Sequence, residues 1–424
     1  MTTTQVPIAE AYLARTPASE AMMRRAQEVM PGGSTRTVGW FPPYPVVFDH
    51  GDGPFLYDLD GHEYVDLFGN GLSLIHGHCY PPIRQAAEAV LARGTAWSGA
   101  SVPQIEFAEV LRDRIPGADL VRFANTGTEA AMLAVKLARR ATGRPGVLKA
   151  WAAYHGSYDD LEAGLHGQGE IRNRVWLAEF GDLGSFRRVL EEHGDEIGAV
   201  IAEPVMYTGV VTPPPDGFLP ALAGLAREFG ALFIIDDCLM FRLHEHGSAG
   251  KYGFQADLTV LGKFIGGGTP VGAVAGREEL LSLFDPRRPD RLYHGGSFNG
   301  NVLGTACGKV AVEHLTPEAI AAMDRRAGQL RATLEQHAAR AGVPLVTSGV
   351  GSTFGVYLAS GLPAPTGPRP DAAQSQLFQL AAVNRGVLFG DGGEAAIPTV
   401  LTDEALAETG QRACQAIDDV AAVL

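Results

Sequence analysis

Cysteine is scarce: the 424 residues hold four, Cys79, Cys238, Cys307 and Cys414, far apart and with no Cys-x-x-Cys pair. That spacing argues against a disulfide framework or a thiolate zinc site, and predicts reduced cytosolic thiols. Cations are also in short supply, with 34 Lys and Arg against 48 Asp and Glu, a formal net charge of −14 and no basic block. Binding to a nucleic-acid backbone or an anionic membrane is therefore not expected. No stretch approaches the roughly 20 apolar residues of a membrane helix. The opening Met1–Glu10 has no positive patch followed by an apolar core, so a cytoplasmic protein is expected. Internal repeats and low-complexity tracts are absent as well. His76 and His78 flank Gly77, but with no carboxylate or cysteine at ligand spacing they read as turn histidines, and no metal is expected.

What is present suits a large globular enzyme: 46% hydrophobic and 19% charged residues, in a chain long enough for two domains. From about residue 70 to 310, strand-like and helical patterns alternate, as in Gly198-Ala-Val-Ile-Ala, Phe218 to Arg227, and Ala231-Leu-Phe-Ile-Ile. This is the βαβ rhythm of a mostly parallel sheet, and the fold class is α/β. Residues 1–69 and 311–424 are expected to supply a smaller α+β domain, with strands between Phe48 and Phe68 and a helix over Pro317–Gly342. Gly361–Pro370, rich in Pro and Gly, predicts a loop.

The chemistry concentrates at strand ends. Lys263 closes the strand-like run Ala256-Asp-Leu-Thr-Val-Leu-Gly and opens the glycine-rich Phe264-Ile-Gly-Gly-Gly. Asp236 and Asp237 close the run Ala231-Leu-Phe-Ile-Ile, where ligands of α/β sheets gather. An amine and an acid at neighbouring strand ends suit pyridoxal phosphate (PLP). The lysine forms a Schiff base with its aldehyde, and the carboxylate keeps the pyridine nitrogen protonated. Lys263 is then also placed to shuttle the substrate proton. Asn125-Thr-Gly127-Thr128-Glu-Ala is a helix start whose free N–H groups suit a phosphate. Tyr154, after the apolar Val147–Ala153, is placed to stack on a ring. Arg36 follows the turn Pro31-Gly-Gly and precedes the aromatic Trp40-Phe-Pro-Pro-Tyr44, a guanidinium able to clamp a carboxylate.

In their order and spacing these stretches, with Gly77-His-Cys-Tyr-Pro, Ala202-Glu-Pro and Gly296-Ser-Phe-Asn-Gly-Asn, resemble the class III (fold type I) PLP-dependent aminotransferases. The likeness is to the branch of glutamate-1-semialdehyde aminomutase and β-phenylalanine aminotransferase. Arg242-Leu-His-Glu-His-Gly is closer to the latter. The resemblance implies a large PLP domain with a mostly parallel sheet flanked by helices, and a homodimer with the active site at its interface. It implies that Gly127 and Thr128 bind phosphate, Tyr154 stacks on the ring, Asp236 meets the pyridine nitrogen and Lys263 carries the Schiff base. Ser297 stands where the family has a threonine that reaches the partner subunit's phosphate. Arg36 stands where an arginine contacts a substrate carboxylate, with Trp40 and its neighbours as an apolar wall.

The departures are informative. Asp237 is one methylene shorter than the family's glutamate, and Cys238 to Phe241 replace the usual continuation, which reads as repacking. Glu203 matches the family's acid before proline. Near Phe389-Gly-Asp-Gly-Gly-Glu394 the β-phenylalanine enzyme has an arginine. Here Gly392 falls at that position, while Asp391 and Glu394 would repel a second carboxylate. Glutamate or 2-oxoglutarate is thereby disfavoured, and Glu394 keeps an aminomutase-like reaction open. The expected activity is transfer of an amino group between an amino acid, most like a β-amino acid or related amine, and a keto or aldehyde acceptor. An aminomutase or racemase is the alternative, and a non-catalytic PLP-binding protein a more distant one.

Overall fold

A computed structural model describes residues 6–165, 174–208, 210–363 and 372–424. Of the loop expected at Gly361–Pro370, residues 364–370 lie outside these. The chain forms two compact units, Pro81–Ile320 and a second made of Met1–Tyr80 with Ala321–Leu424.

Pro81–Ile320 is built on a seven-stranded sheet. Its strand order is Leu120–Ala124, Gly272–Gly276, Leu258–Leu261, Leu232–Asp236, Ile197–Ala202, Gly146–Ala150 and Val175–Ala178. All neighbours pair in parallel except Gly272–Gly276, which is antiparallel to both strands beside it. Parallel strands bury both faces, and the sequence alternates accordingly. Val147, Ala199, Ile201 and Ile234 join helix Gly127–Thr142 in one apolar cluster. Leu148, Val200, Phe233 and Ile235 join helices Leu183–His193 and Phe218–Glu228 in the other. Each buried Val, Leu, Ile or Phe side chain among these contributes about 1.5–3 kcal/mol by leaving water. The layers therefore fix where every parallel strand ends.

The second unit holds the antiparallel ribbons Phe48–Asp52, Phe55–Asp58 and Glu63–Asp66, extended in parallel by Val387–Leu388. A separate three-stranded sheet comprises Leu345–Val350, Thr353–Leu358 and Glu394–Ala396. Helices Pro317–Ala341, Ala372–Asn384 and Asp403–Ala421 complete the α+β elements drawn from both chain ends. Here His78 Nε2 meets Asp66 Oδ2 at 2.8 Å, and His76 Nδ1 meets Thr399 Oγ1 at 2.9 Å. A carboxylate does reach His78, but from a strand that local spacing does not reveal. Among the described residues no group of three or more His, Cys, Asp and Glu could hold a metal ion, and no helix is long and apolar enough to cross a membrane.

Candidate active site

The carboxyl ends of the parallel strands deliver their side chains to one cavity of about 190 Å³ that opens to solvent. Thr128 follows Leu120–Ala124, Tyr154 and His155 follow Gly146–Ala150, and Glu203 follows Ile197–Ala202. Asp236 ends Leu232–Asp236, and Lys263 comes two residues after Leu258–Leu261. Of the residues singled out in the sequence, Gly127, Thr128, Tyr154, Asp236 and Lys263 all line this cavity.

Local chemistry explains each placement. Thr126 caps helix Gly127–Thr142, its Oγ1 accepting the Glu129 N–H at 3.1 Å, and Gly143 closes the far end at φ 70°. The first N–H groups of that helix, including those of Gly127 and Thr128, have no helical carbonyl to meet and suit an anion. Glycine is needed there: a Cβ at Gly127 would lie 2.8 Å from Cys238 Sγ, and one at Gly156 would lie 2.5 Å from Thr128 Oγ1. Lys263 is a non-glycine residue at φ 53°, in a left-handed conformation costing about 1–3 kcal/mol, and such strain clusters at functional sites.

The acids are sorted by their surroundings. Asp236 Oδ2 meets His155 Nδ1 at 2.9 Å, and Oδ1 accepts the Cys238 N–H at 3.2 Å. Burial alone would raise the Asp236 carboxyl, but the His155 hydrogen bond and charge and the Cys238 contacts hold it below the usual range. It stays ionised. Asp237, next in the chain, turns away to accept the Ser248 N–H at 2.8 Å, and its Oδ1 has no partner. Burial pushes Asp237 up to about 7. Glu203 accepts the Tyr154 N–H at 2.8 Å, and burial, with the Asp236 charge adding, pushes it up to about 8.

This donor set fits PLP. An ionised acid with a buried histidine behind it suits a pyridinium nitrogen, a glycine-cleared helix start suits a phosphate, and Tyr154 supplies a ring face beside an accessible amine. His155, to which the sequence alone assigns no role, is almost wholly buried and sets the far side of Asp236. Its signal lies in the Tyr154-His-Gly stretch, which shows no partner. Lys149 announces itself in sequence only as a lone charge within the apolar strand Gly146–Ala150.

Ser297 does not line this cavity; it lies exposed, between Tyr293 and Phe298. Arg36, Trp40 and Glu394 belong to the other unit. There Arg36 Nη1 donates to Asn70 Oδ1 at 2.7 Å, and Glu394 Oε2 accepts the Gly392 N–H at 2.9 Å. Both segments approach the Phe68 ring: a Cβ at Gly39 would sit 3.7 Å from it, and one at Gly390 2.9 Å.

A parallel-rich sheet with a lysine, an aspartate and an anion-binding helix start at its carboxyl edge defines a PLP enzyme of the transaminase fold. The sequence model of the Aminotransferase class-III family matches residues 40–164 and 178–420, and the chain belongs to that PLP-dependent family. It is 36% identical over 352 residues to glutamate-1-semialdehyde 2,1-aminomutase of Heliobacterium modesticaldum (strain ATCC 51547 / Ice1), covering 79% of this chain and 80% of that one. Among solved structures it is similar to an omega-transaminase from Sphaerobacter thermophilus, with TM-score 0.91, 33% identity, and 96% and 99% of the two chains covered. A β-phenylalanine aminotransferase from Variovorax paradoxus gives TM-score 0.89 and 31% identity, covering 97% of this chain and 96% of that one.

Proposed function

We propose that the protein is an aminotransferase whose donor is a β-amino acid or a related carboxylated amine. The observation that carries this reading is Arg36: its guanidinium is exposed and held by the neutral amide of Asn70, with no ion pair to a carboxylate among the described residues. Its charge is left for a substrate carboxylate, and the exposed Trp40 offers an apolar face nearby in the chain. The likeness to the β-phenylalanine enzyme supports the same choice.

Bound PLP supplies an aldehyde to capture the amine and a pyridinium ring to absorb the electrons released when the amine-bearing carbon loses its proton. Asp236, fixed by His155, keeps that ring protonated. Gly127 and Thr128 hold the phosphate through the helix start, and Tyr154 covers one ring face. Lys263 Nζ holds the cofactor between turnovers, then takes and returns the proton of the amine-bearing carbon. Ser297, exposed in the same segment as Tyr293 and Phe298, would reach the phosphate of a second copy in a homodimer.

The acidic Asp391–Glu394 segment disfavours a dicarboxylate acceptor, so a monocarboxylic keto acid or an aldehyde fits better. The aminomutase relative, at 36% identity, keeps internal amino transfer as the second reading. Incubation with donor alone separates the two. A transferase releases one equivalent of keto product per site, detected by mass spectrometry, and is left with the amine form of the cofactor. A rearranged or racemised product without loss of amine overturns the transferase reading.

A further inference from the structure

The wholly buried Lys149 and the half-buried Glu203, which lines the cavity, meet on a single peptide bond. Lys149 Nζ donates to the Ala153 carbonyl at 2.8 Å, and Glu203 Oε1 accepts the Tyr154 N–H at 2.8 Å. That carbonyl and that N–H belong to the same peptide group. We propose that Lys149 and Glu203 form an ion pair bridged by the Ala153–Tyr154 peptide, and that this pair positions Tyr154 and His155 in the cofactor cavity.

The geometry requires charge on Lys149. Its remaining hydrogens go to the carbonyls of Leu161, at 2.5 Å, and Ala163, at 2.9 Å, so three acceptors are met by three donors. A neutral amine has two hydrogens and would leave one buried carbonyl facing a lone pair. Among the described residues Lys149 has no direct ion pair, although it is wholly buried. A trans peptide points its carbonyl and N–H in opposite directions, so the ammonium and the carboxylate cannot collapse onto each other. Instead each polarises the peptide in the same sense and strengthens the other's hydrogen bond.

Burial works against the charge on both groups, and each partner's charge offsets part of that cost. Burial pulls Lys149 down to about 8, opposed by Glu203 and then Glu162. Glu203 is pushed the other way by burial and by Asp236, against the Tyr154 N–H, Lys263 and Lys149. His155, one residue past the bridged peptide, also feels Lys149 and bonds Asp236. A tilt of this peptide therefore moves both the ring-stacking tyrosine and the histidine that fixes Asp236. The two groups are positioning residues.

The test uses the cofactor-free protein and needs no substrate, so its failure leaves the donor assignment untouched. Hydrogen exchange over residues 150–165 and the dissociation constant for PLP, followed by fluorescence, are compared for wild type, K149M, E203Q and the double variant. E203Q keeps an oxygen for the Tyr154 N–H, so its effect reports lost charge alone. Each single change is expected to weaken PLP binding about tenfold and speed exchange at Tyr154 and His155, with the double variant no worse than the poorer single. In E203Q the opening also sets in at lower pH than in wild type, because Lys149 has lost its counter-charge. K149M shows no such pH step. Additive losses, or an E203Q protein with unchanged exchange, pH response and PLP affinity, overturn the proposal. Should K149M not fold, the E203Q pH response decides it.

Discussion

The carboxyl rim of the seven-stranded sheet and the Arg36–Trp40 and Gly390–Glu394 segments of the other unit are built on opposite terms. At the rim, each reactive group lies at or just past the end of a strand of the sheet, and its partners are themselves fixed: Asp236 by His155, Tyr154 by Glu203, Thr126 by its own helix. In the other unit, Arg36 lies exposed on a turn closed by Ser34, and Glu394 opens a short strand directly after a glycine-rich bend. On the proposed reading, cofactor chemistry is specified by the core, whereas donor choice is left to segments that can change without disturbing it.

Substitutions probe that division, and the largest effect is expected at the rim. Lys263→Ala should lower turnover by at least about 10⁴-fold and abolish covalent retention of PLP after borohydride reduction, while leaving the fold intact. Retention of the label would reassign the Schiff-base residue. Asp236→Asn should come next, with a loss of roughly 10²–10³-fold in kcat, since it removes a preorganised charge. A loss confined to KM would argue against its place at the pyridine nitrogen. In the other unit, Arg36→Ala should weaken kcat/KM for carboxylated donors, by about 2–5 kcal/mol where the bound donor buries the pair, and leave simple amines unchanged. Equal losses for both would show that Arg36 holds the turn rather than the donor.

The smallest effect separates two adjacent acids. Asp237 is raised from its ordinary value to about 7, so between pH 4 and 7 the unfolded chain is ionised while the folded one keeps its proton. Stability therefore falls across that window as pH rises. Asp237→Asn removes the dependence, and its Tm advantage over wild type should grow from pH 4 to pH 7 and then level off. A constant difference would place the titration elsewhere.

The same division between core and surface segments explains what could be read from the sequence. Ala231 to Asp236 and Ala256 to Lys263 were legible because a continuous apolar run bounded by polar residues suits a strand buried on both faces, and the residues directly after such a strand lie at the sheet's edge. The cap at Thr126 was legible because helix starts are local chemistry. Glu203 could be placed but not assigned, since its partner is the backbone of Tyr154, 49 residues away. The Asp66–His78 contact and the three carbonyls around Lys149 were hidden for the same reason: they depend on tertiary geometry, not on spacing. At Gly390–Gly393 the register could not be fixed from sequence, because glycines carry no pattern. There the structure adds that the Gly392 N–H is taken by Glu394.

Gly272–Gly276 is the lone antiparallel member of the large sheet, so Lys263 rides on the link between two adjacent, hydrogen-bonded strands rather than on a crossover to a distant helix. The side chain proposed to hold the cofactor is thus tethered from both ends to the same sheet. Recapture of a bound cofactor would then be an encounter within a confined volume rather than the search of a free loop.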